Sequence, residues 1–243
     1  FFNVDFNNEK FIKFKNINFN KFPSTNFWLY SLARLFFIEE FVVSNKIEKF
    51  VIYENDIMIY VDLNYIIKLL SKEYKNIAFT IGDDIRATTG FSYFSNYKDL
   101  VRLNDDIMDI ISSPDKMKDI YNNYSSCCPS EMVFIRKIVK DKNYIEPLPL
   151  LPTDDKFNTL GYLFDPAAYG QFLGGSPKEN GNVKKFVDKS TYIGKEIIKK
   201  NISVSFELDN SGIKKPFCVK NGKKYKICNL HIHSKQLKQF ATK

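Results

Sequence analysis

Glu54 and Asp56 stand one residue apart in Val51-Ile52-Tyr53-Glu54-Asn55-Asp56-Ile57-Met58-Ile59-Tyr60, two carboxylates that break an apolar, β-branched and aromatic run. In an extended chain the side chains of residues i and i+2 share a face, so the two acids can converge on one point. The strand formers on either side imply burial, and a buried carboxylate without a partner is costly, so the pair calls for a cation. Hard carboxylate oxygens suit a hard divalent ion, Mn2+ or Mg2+. The plainer reading is a strand end whose two acids face water.

A second constellation lies near the end of the chain, in Asn229-Leu230-His231-Ile232-His233-Ser234-Lys235, which holds the only two histidines. On a strand His231, His233 and Lys235 would point the same way, presenting two metal ligands and a phosphate-binding cation on one face. Of the two imidazoles, His231 is favoured as the inner ligand because it follows the apolar run from Ile227. His233 would then orient substrate or phosphate. Arg34 is the lone cation inside an apolar segment and needs an anionic partner, either a carboxylate or a substrate phosphate.

Definite elements must carry these groups. From Ser24 to Phe41 the chain reads as a long helix opened by a Ser/Thr cap and apolar on most faces, hence packed against a sheet. The polar break Ser44-Asn45-Lys46 ends it, and a strand from Phe50 to Tyr53 delivers the acid pair. Ile77 to Ile81 is strand-like and leads through Gly82-Asp83-Asp84 to Thr88-Thr89-Gly90-Phe91-Ser92-Tyr93-Phe94-Ser95-Asn96. Cys128-Pro129-Ser130-Glu131 opens a helix, with Pro near its start and Glu131 in the first turn. Pro147 to Pro152 is an extended linker. Asp165 and Pro166 cap and begin a short helix stopped by Gly174-Gly175. Ile202 to Leu208 reads as a strand, and Asn221-Gly222 marks a hairpin between Phe217-Cys218-Val219 and Tyr225-Lys226-Ile227.

This order of helix with Arg, strand with acid pair, small-residue strand, acid at a helix start and late histidine resembles the glycosyltransferase-A fold, most closely the glycogenin-like and bacterial galactosyltransferase-like enzymes. The resemblance spans residues 24–243 in layout. It implies a single α/β, Rossmann-like domain with a mostly parallel central sheet and a smaller mixed C-terminal half. Residues 1–146 would bind donor and metal, and residues 147–243 would form the acceptor side and the His segment. The implied activity is metal-assisted transfer of a sugar from a nucleoside diphosphate sugar to a hydroxyl acceptor on a glycan, lipid or protein.

In that reading Glu54 and Asp56 hold Mn2+ or Mg2+ and His231 or His233 completes the coordination, while Arg34, Asn55, Thr89, Gly90 and Lys235 bind the donor. Glu131 and Asp165 stand at the reaction centre or acceptor side, where Tyr169 and Gln171 are further acceptor candidates. Asp165 has a second reading as a helix cap alone. The chain departs from the family where Glu54 takes the place of Asp and Ser130-Glu131 replaces an Asp-Gln or Glu-Asp pair. It also opens at Phe1 with no Met, and no first strand with a glycine-bearing turn is visible, which points to residues upstream of this sequence. Two other classes fit the same clusters: a metal-dependent hydrolase or nucleotidyltransferase, and a non-catalytic relative that binds sugar nucleotides.

Composition narrows the partners. With 243 residues and 44% hydrophobic content the chain can bury a substantial core, and its 16% aromatic content supplies rings that stack on bases or sugars. Apolar runs are too short or too interrupted by charge to span a bilayer, although peripheral membrane contact fits. Cys127, Cys128, Cys218 and Cys228 lack metal-type spacing, so a reducing, cytoplasmic setting is the simpler reading. The net charge of +8 is spread in ones and twos with local concentrations at 184–185, 195–200 and 214–224, which excludes no anionic ligand but carries no nucleic-acid signature.

Overall fold

A computed structural model describes residues 8–17, 27–124, 130–176, 186–209 and 212–241. The chain runs through α1 (Glu9–Asn16), α2 (Phe27–Ser44), β1 (Glu48–Tyr53), β2 (Ile57–Ile59), α3 (Leu63–Glu73), β3 (Ile77–Thr80) and β4 (Thr88–Asn96). It continues with α4 (Tyr97–Ser112), α5 (Pro114–Asn123), α6 (Glu131–Asp141), β5 (Ile145–Pro147), α7 (Phe157–Leu160), a π-helical turn at Gln171–Gly175, and α8 (Tyr192–Ile198). Strands β6 (Ser203–Leu208), β7 (Lys214–Lys220), β8 (Lys223–Lys226) and β9 (Asn229–His231) follow. Among the described residues the architecture is α/β.

The main sheet has the order β1-β4-β3-β5. Strands β1, β3 and β5 run in one direction, and β4 runs against both β1 and β3. The expectation of a mostly parallel sheet is therefore corrected to a mixed one. The physical reason is the short 81–87 connection, which turns the chain straight back into β4, whereas a parallel neighbour needs a long crossover. Such a crossover does join β1 to β3 through α3, and β4 then inserts between them.

Alternation along these strands fixes the layers. Ile52, Ile77, Phe79 and Phe94 face a core built with α1, α2, α4, α5 and α6. Ala78, Phe91 and Tyr93 face the opposite way, onto Ile66, Leu70 and Tyr74 of α3 and its end. The capping chemistry is local: Asp62 accepts from the Tyr65 N–H at the start of α3, and Asn96 with Asp99 forms a reciprocal capping box at α4.

A second core, from Leu150 to Phe240, unites the later segments with the small antiparallel sheet β6-β7-β8. Its hairpin turns at Asn221 and Gly222, both with positive φ, as the Asn-Gly signal requires. The ribbon β2-β9 joins the two halves: Ile57 pairs with His231 and Ile59 with Asn229. No described helix is long and apolar enough to cross a membrane. Cys218 and Cys228 are buried free thiols, while Cys127 and Cys128 lie outside the described residues, as does the Ser24–Asn26 cap.

Candidate metal centre

Thr88, Thr89 and Gly90 at the start of β4 leave room beside the carboxyl-terminal end of β1, and a cleft of about 610 Å³ opens there. That volume sits within the roughly 300–1,000 Å³ typical of ligand pockets. Arg34, Glu54, Asn55, Asp56, Thr89, Glu131, Gln171, His231, His233 and Lys235 all line it.

Glu54 and Asp56 are not on a strand. They occupy a tight turn between β1 and β2, closed by a bond from the Ile57 N–H to the Glu54 carbonyl, and the turn rather than the pleat makes them converge. The β2-β9 pairing then brings His231 alongside, and the Ile232 N–H donates to the Asp56 carbonyl at 2.8 Å. His231 Nε2 lies 3.3 Å from Asp56 Oδ1 and 3.5 Å from Glu54 Oε2. Asp56 Oδ1 nevertheless has no directed hydrogen bond. Ligand atoms of one octahedral divalent ion are separated by roughly 3 Å along each edge, which matches this spacing. Among the described residues, Glu54, Asp56 and His231 group their possible ligand atoms within 4.8 Å of one another.

Strand β9 ends at His231, so the single-strand reading of His231, His233 and Lys235 is corrected. A turn follows, with Lys235 at φ 57 and its N–H bonded to the Ile232 carbonyl. That turn folds Lys235 back, and its Nζ reaches Asp56 Oδ2 at 3.2 Å. His233 packs edge-on against His231, ring centroids 4.4 Å apart. Gln171 and His233 share a hydrogen bond, with Gln171 Nε2 2.9 Å from His233 Nδ1. His233 lines the cleft, and His231 is the imidazole placed for an ion.

Arg34 reaches from α2 to Glu54 Oε1 and Thr89 Oγ1, both at 2.7 Å, and stands 3.8 Å from Glu131 Oε1. Its anionic partner is thus a carboxylate of the cleft itself. Burial raises the Glu54 pKa, but Arg34, His231 and Thr89 more than offset this and the net shift is downward. Asp56 follows the same logic, burial opposed and overcome by His231 and Lys235, which hold its carboxyl well below the usual range. Burial pulls His231 down, yet Asp56 and Glu54 carry the net shift upward. Glu131, at the first turn of α6, moves up, chiefly through burial.

Nine buried side-chain polar atoms among the described residues lack a hydrogen-bond partner, and five belong to the cleft: Arg34 Nε, Asp56 Oδ1, Glu131 Oε2, Gln171 Oε1 and His231 Nδ1. Orphaned groups of this kind are costly unless a ligand or water completes them, so their concentration here marks a binding site. No protein-family model, curated protein or solved structure matches this chain.

Gly90 serves the centre by lacking a side chain. A Cβ there would lie 2.8 Å from His231 Nδ1, so the ring rests directly on the strand backbone. Gly90→Ala is expected to displace the imidazole and weaken Mn2+ binding by about tenfold, with a fall in melting temperature of only a few degrees. Unchanged Mn2+ affinity in that variant, read by calorimetry, would remove His231 from the ligand set.

Asp165 does not line the cleft. It is fully buried, Oδ1 accepting from the N–H groups of Ala168 and Tyr169, and Oδ2 from those of Gly170 and His231. The carboxylate caps its own turn and fixes the His231 backbone. The expected short helix after it is a bend followed by a π-helical turn, with Gly174 at φ 100.

Arg86 and Asp188, not singled out from sequence, also line the cleft. Arg86 Nε donates to Asp83 Oδ2 at 2.7 Å and Nη2 to Asp188 Oδ2 at 3.0 Å, tying the β3-β4 connection to the segment before α8. A usable signal did exist. The chain has four arginines against 32 lysines; Arg34 and Arg86 line the cleft, and Arg136 donates to the carbonyl of Asp83, which also lines it. In a lysine-rich chain the guanidinium fork is kept where bidentate geometry counts.

Proposed function

We propose that the cleft is the donor site of a metal-assisted glycosyltransferase that moves a sugar from a nucleoside diphosphate sugar to a hydroxyl acceptor. The convergence of Glu54, Asp56 and His231, groups about 180 residues apart in sequence, carries this reading. Its position agrees with ligand binding outside the carboxyl ends of parallel strands, here β1 and β3.

Glu54, Asp56 and His231 would hold Mn2+ or Mg2+, which when bound supplies charge neutralisation for a departing diphosphate. The chain's own groups do the rest. Lys235 and Arg34 are cations at the rim and floor, each already sharing a carboxylate and able to turn toward phosphate oxygens. His233, held by Gln171, would add a hydrogen-bonding group on the cleft wall. Thr88 and Thr89 form the wall where a sugar ring would sit, and Glu131 Oε2, which lacks a protein partner, would accept from a sugar or acceptor hydroxyl.

A hydrolase or nucleotidyltransferase would use the same carboxylates but would consume the nucleotide without transferring a sugar. A thermal-shift panel of nucleoside diphosphate sugars with Mn2+ tests for a donor site, and product analysis with and without a hydroxyl acceptor then separates transfer from hydrolysis. A ligand at one hundred times its Kd stabilises by about 2.7 kcal/mol. For a chain of this size that is a rise of roughly 5–10 °C. A panel silent for every sugar nucleotide, with Mn2+ or Mg2+ present, would overturn the transferase reading.

A further inference from the structure

The chain's positive charge is strongly asymmetric. Residues 184–243 hold 15 lysines and 4 acids, whereas residues 1–183 hold 21 basic and 24 acidic side chains, so the excess belongs to the C-terminal quarter. Part of it is neutralised locally: Lys224 pairs with Glu207, and Lys215 with Asp209.

Lys199, Lys200, Lys220 and Lys223 have no carboxylate partner among the described residues, and the fold brings them to one end of the small sheet. Lys199 and Lys200 follow α8, where they also complement its carboxyl end. Lys220 and Lys223 have no such reason. They are direct cross-strand partners beside the Asn221-Gly222 turn, an arrangement in which like charges repel.

Two of these lysines, Lys200 and Lys220, line a groove of about 820 Å³ together with Phe172, Ile197, Asn201 and Val219. No acidic side chain lines it. Lys200 is held at φ 59 by its own N–H bond to the Ile197 carbonyl, so the backbone fixes one cation at the rim. The groove shares no lining residue with the candidate metal centre, although Phe172 follows Gln171 of the cleft.

We propose that this groove binds phosphate groups, carried either by a soluble phosphorylated molecule or by the headgroups of an anionic lipid surface. Anion binding relieves the Lys220–Lys223 repulsion and uses cations that no protein carboxylate claims. The inference is independent of the sugar-transfer reading of the cleft.

The test uses the full chain at low salt with EDTA and two probes. Tripolyphosphate binding is measured by calorimetry, and sedimentation is followed with vesicles of phosphatidylglycerol in phosphatidylcholine against phosphatidylcholine alone. The groove variant joins Lys200→Asn, a residue suited to positive φ, with Lys220→Gln. Lys68→Gln with Lys72→Gln, exposed on α3, makes the same charge change elsewhere. Lys235→Gln reports any phosphate held by the cleft.

The parent should bind at least one probe, and the groove variant should bind it about tenfold or more weakly, with the α3 variant within roughly twofold of the parent. Binding of tripolyphosphate alone assigns the soluble source, and vesicle binding that requires phosphatidylglycerol assigns the lipid surface. A parent that binds neither probe overturns the proposal. Equal loss in the α3 variant also overturns it, as does loss confined to Lys235→Gln.

Discussion

Asp56→Asn should abolish Mn2+-dependent binding of a sugar nucleotide while the free protein still folds. The substitution keeps the shape of a side chain only 9% exposed and removes its charge. Loss of an outer-shell partner alone typically costs 10- to 100-fold in metal affinity, so loss of a direct carboxylate ligand should cost at least about 100-fold.

Some stability is lost with the charge. The Asp56 pKa is depressed in the folded state, so its contribution is present above the ordinary carboxylate pKa and disappears as the pH falls through the folded value. At neutral pH the variant therefore gives up this stabilisation, but one of the two partners, Lys235, is 67% exposed and its pairing is screened. The melting temperature of the free protein should fall by a few degrees only. Two titrations decide the matter, Mn2+ alone and then donor in the presence of Mn2+. Parent-like affinity for both in Asp56→Asn would mean that the Glu54, Asp56 and His231 cluster is an internally satisfied ion network and no metal site.

How much of this centre was legible in the sequence follows from what each signal encodes. The acid pair, the Arg34 helix ahead of it and the late histidines were all recoverable, because residue type and order survive without coordinates. The Asn221-Gly222 hairpin was legible for a stronger reason, since positive φ at two successive positions restricts the residue choice. Strand direction was not legible. Periodicity reports which face of a strand is buried and says nothing of its neighbour, so β4 reads the same parallel or antiparallel.

The same limit hid the placement of Glu54 and Asp56. Two acids flanking Asn55 look alike on a strand and in a turn, and only the 3.1 Å bond from the Ile57 N–H to the Glu54 carbonyl separates the cases. Lys235 was assigned correctly to the neighbourhood but by the wrong geometry, since a turn at φ 57 and not a strand face returns it to Asp56. Arg86 escaped because its partners lie 3 and 102 residues away, a relation that no local pattern carries.

Asp165→Asn should be the most damaging single substitution at the edge of the site, and its effect should appear in stability before activity. Both Asp165 oxygens are occupied, each accepting from two backbone N–H groups in a fully buried position. An Asn keeps one acceptor oxygen and turns an amide NH2 toward the other two donors, leaving two buried N–H groups unpaired against a third donor. Each unsatisfied group costs about 1–3 kcal/mol, so the two together cost roughly 2–6 kcal/mol. For a chain of this length that lowers the melting temperature by about 4–24 °C.

The loss also reaches the centre. With the amide nitrogen on the Oδ2 side, the orphaned donors are the N–H groups of His231 and Gly170, and at Gly170 a Cβ would come within 2.2 Å of the His231 carbonyl, so the two backbones are already in contact. Mn2+ affinity should therefore drop together with stability, and a second substitution that restores the melting temperature should recover only part of it. An Asp165→Asn protein that melts like the parent but has lost transfer activity would contradict this account. Asp165 would then be a group that acts on substrate, and the buried cap would be the lesser of its roles.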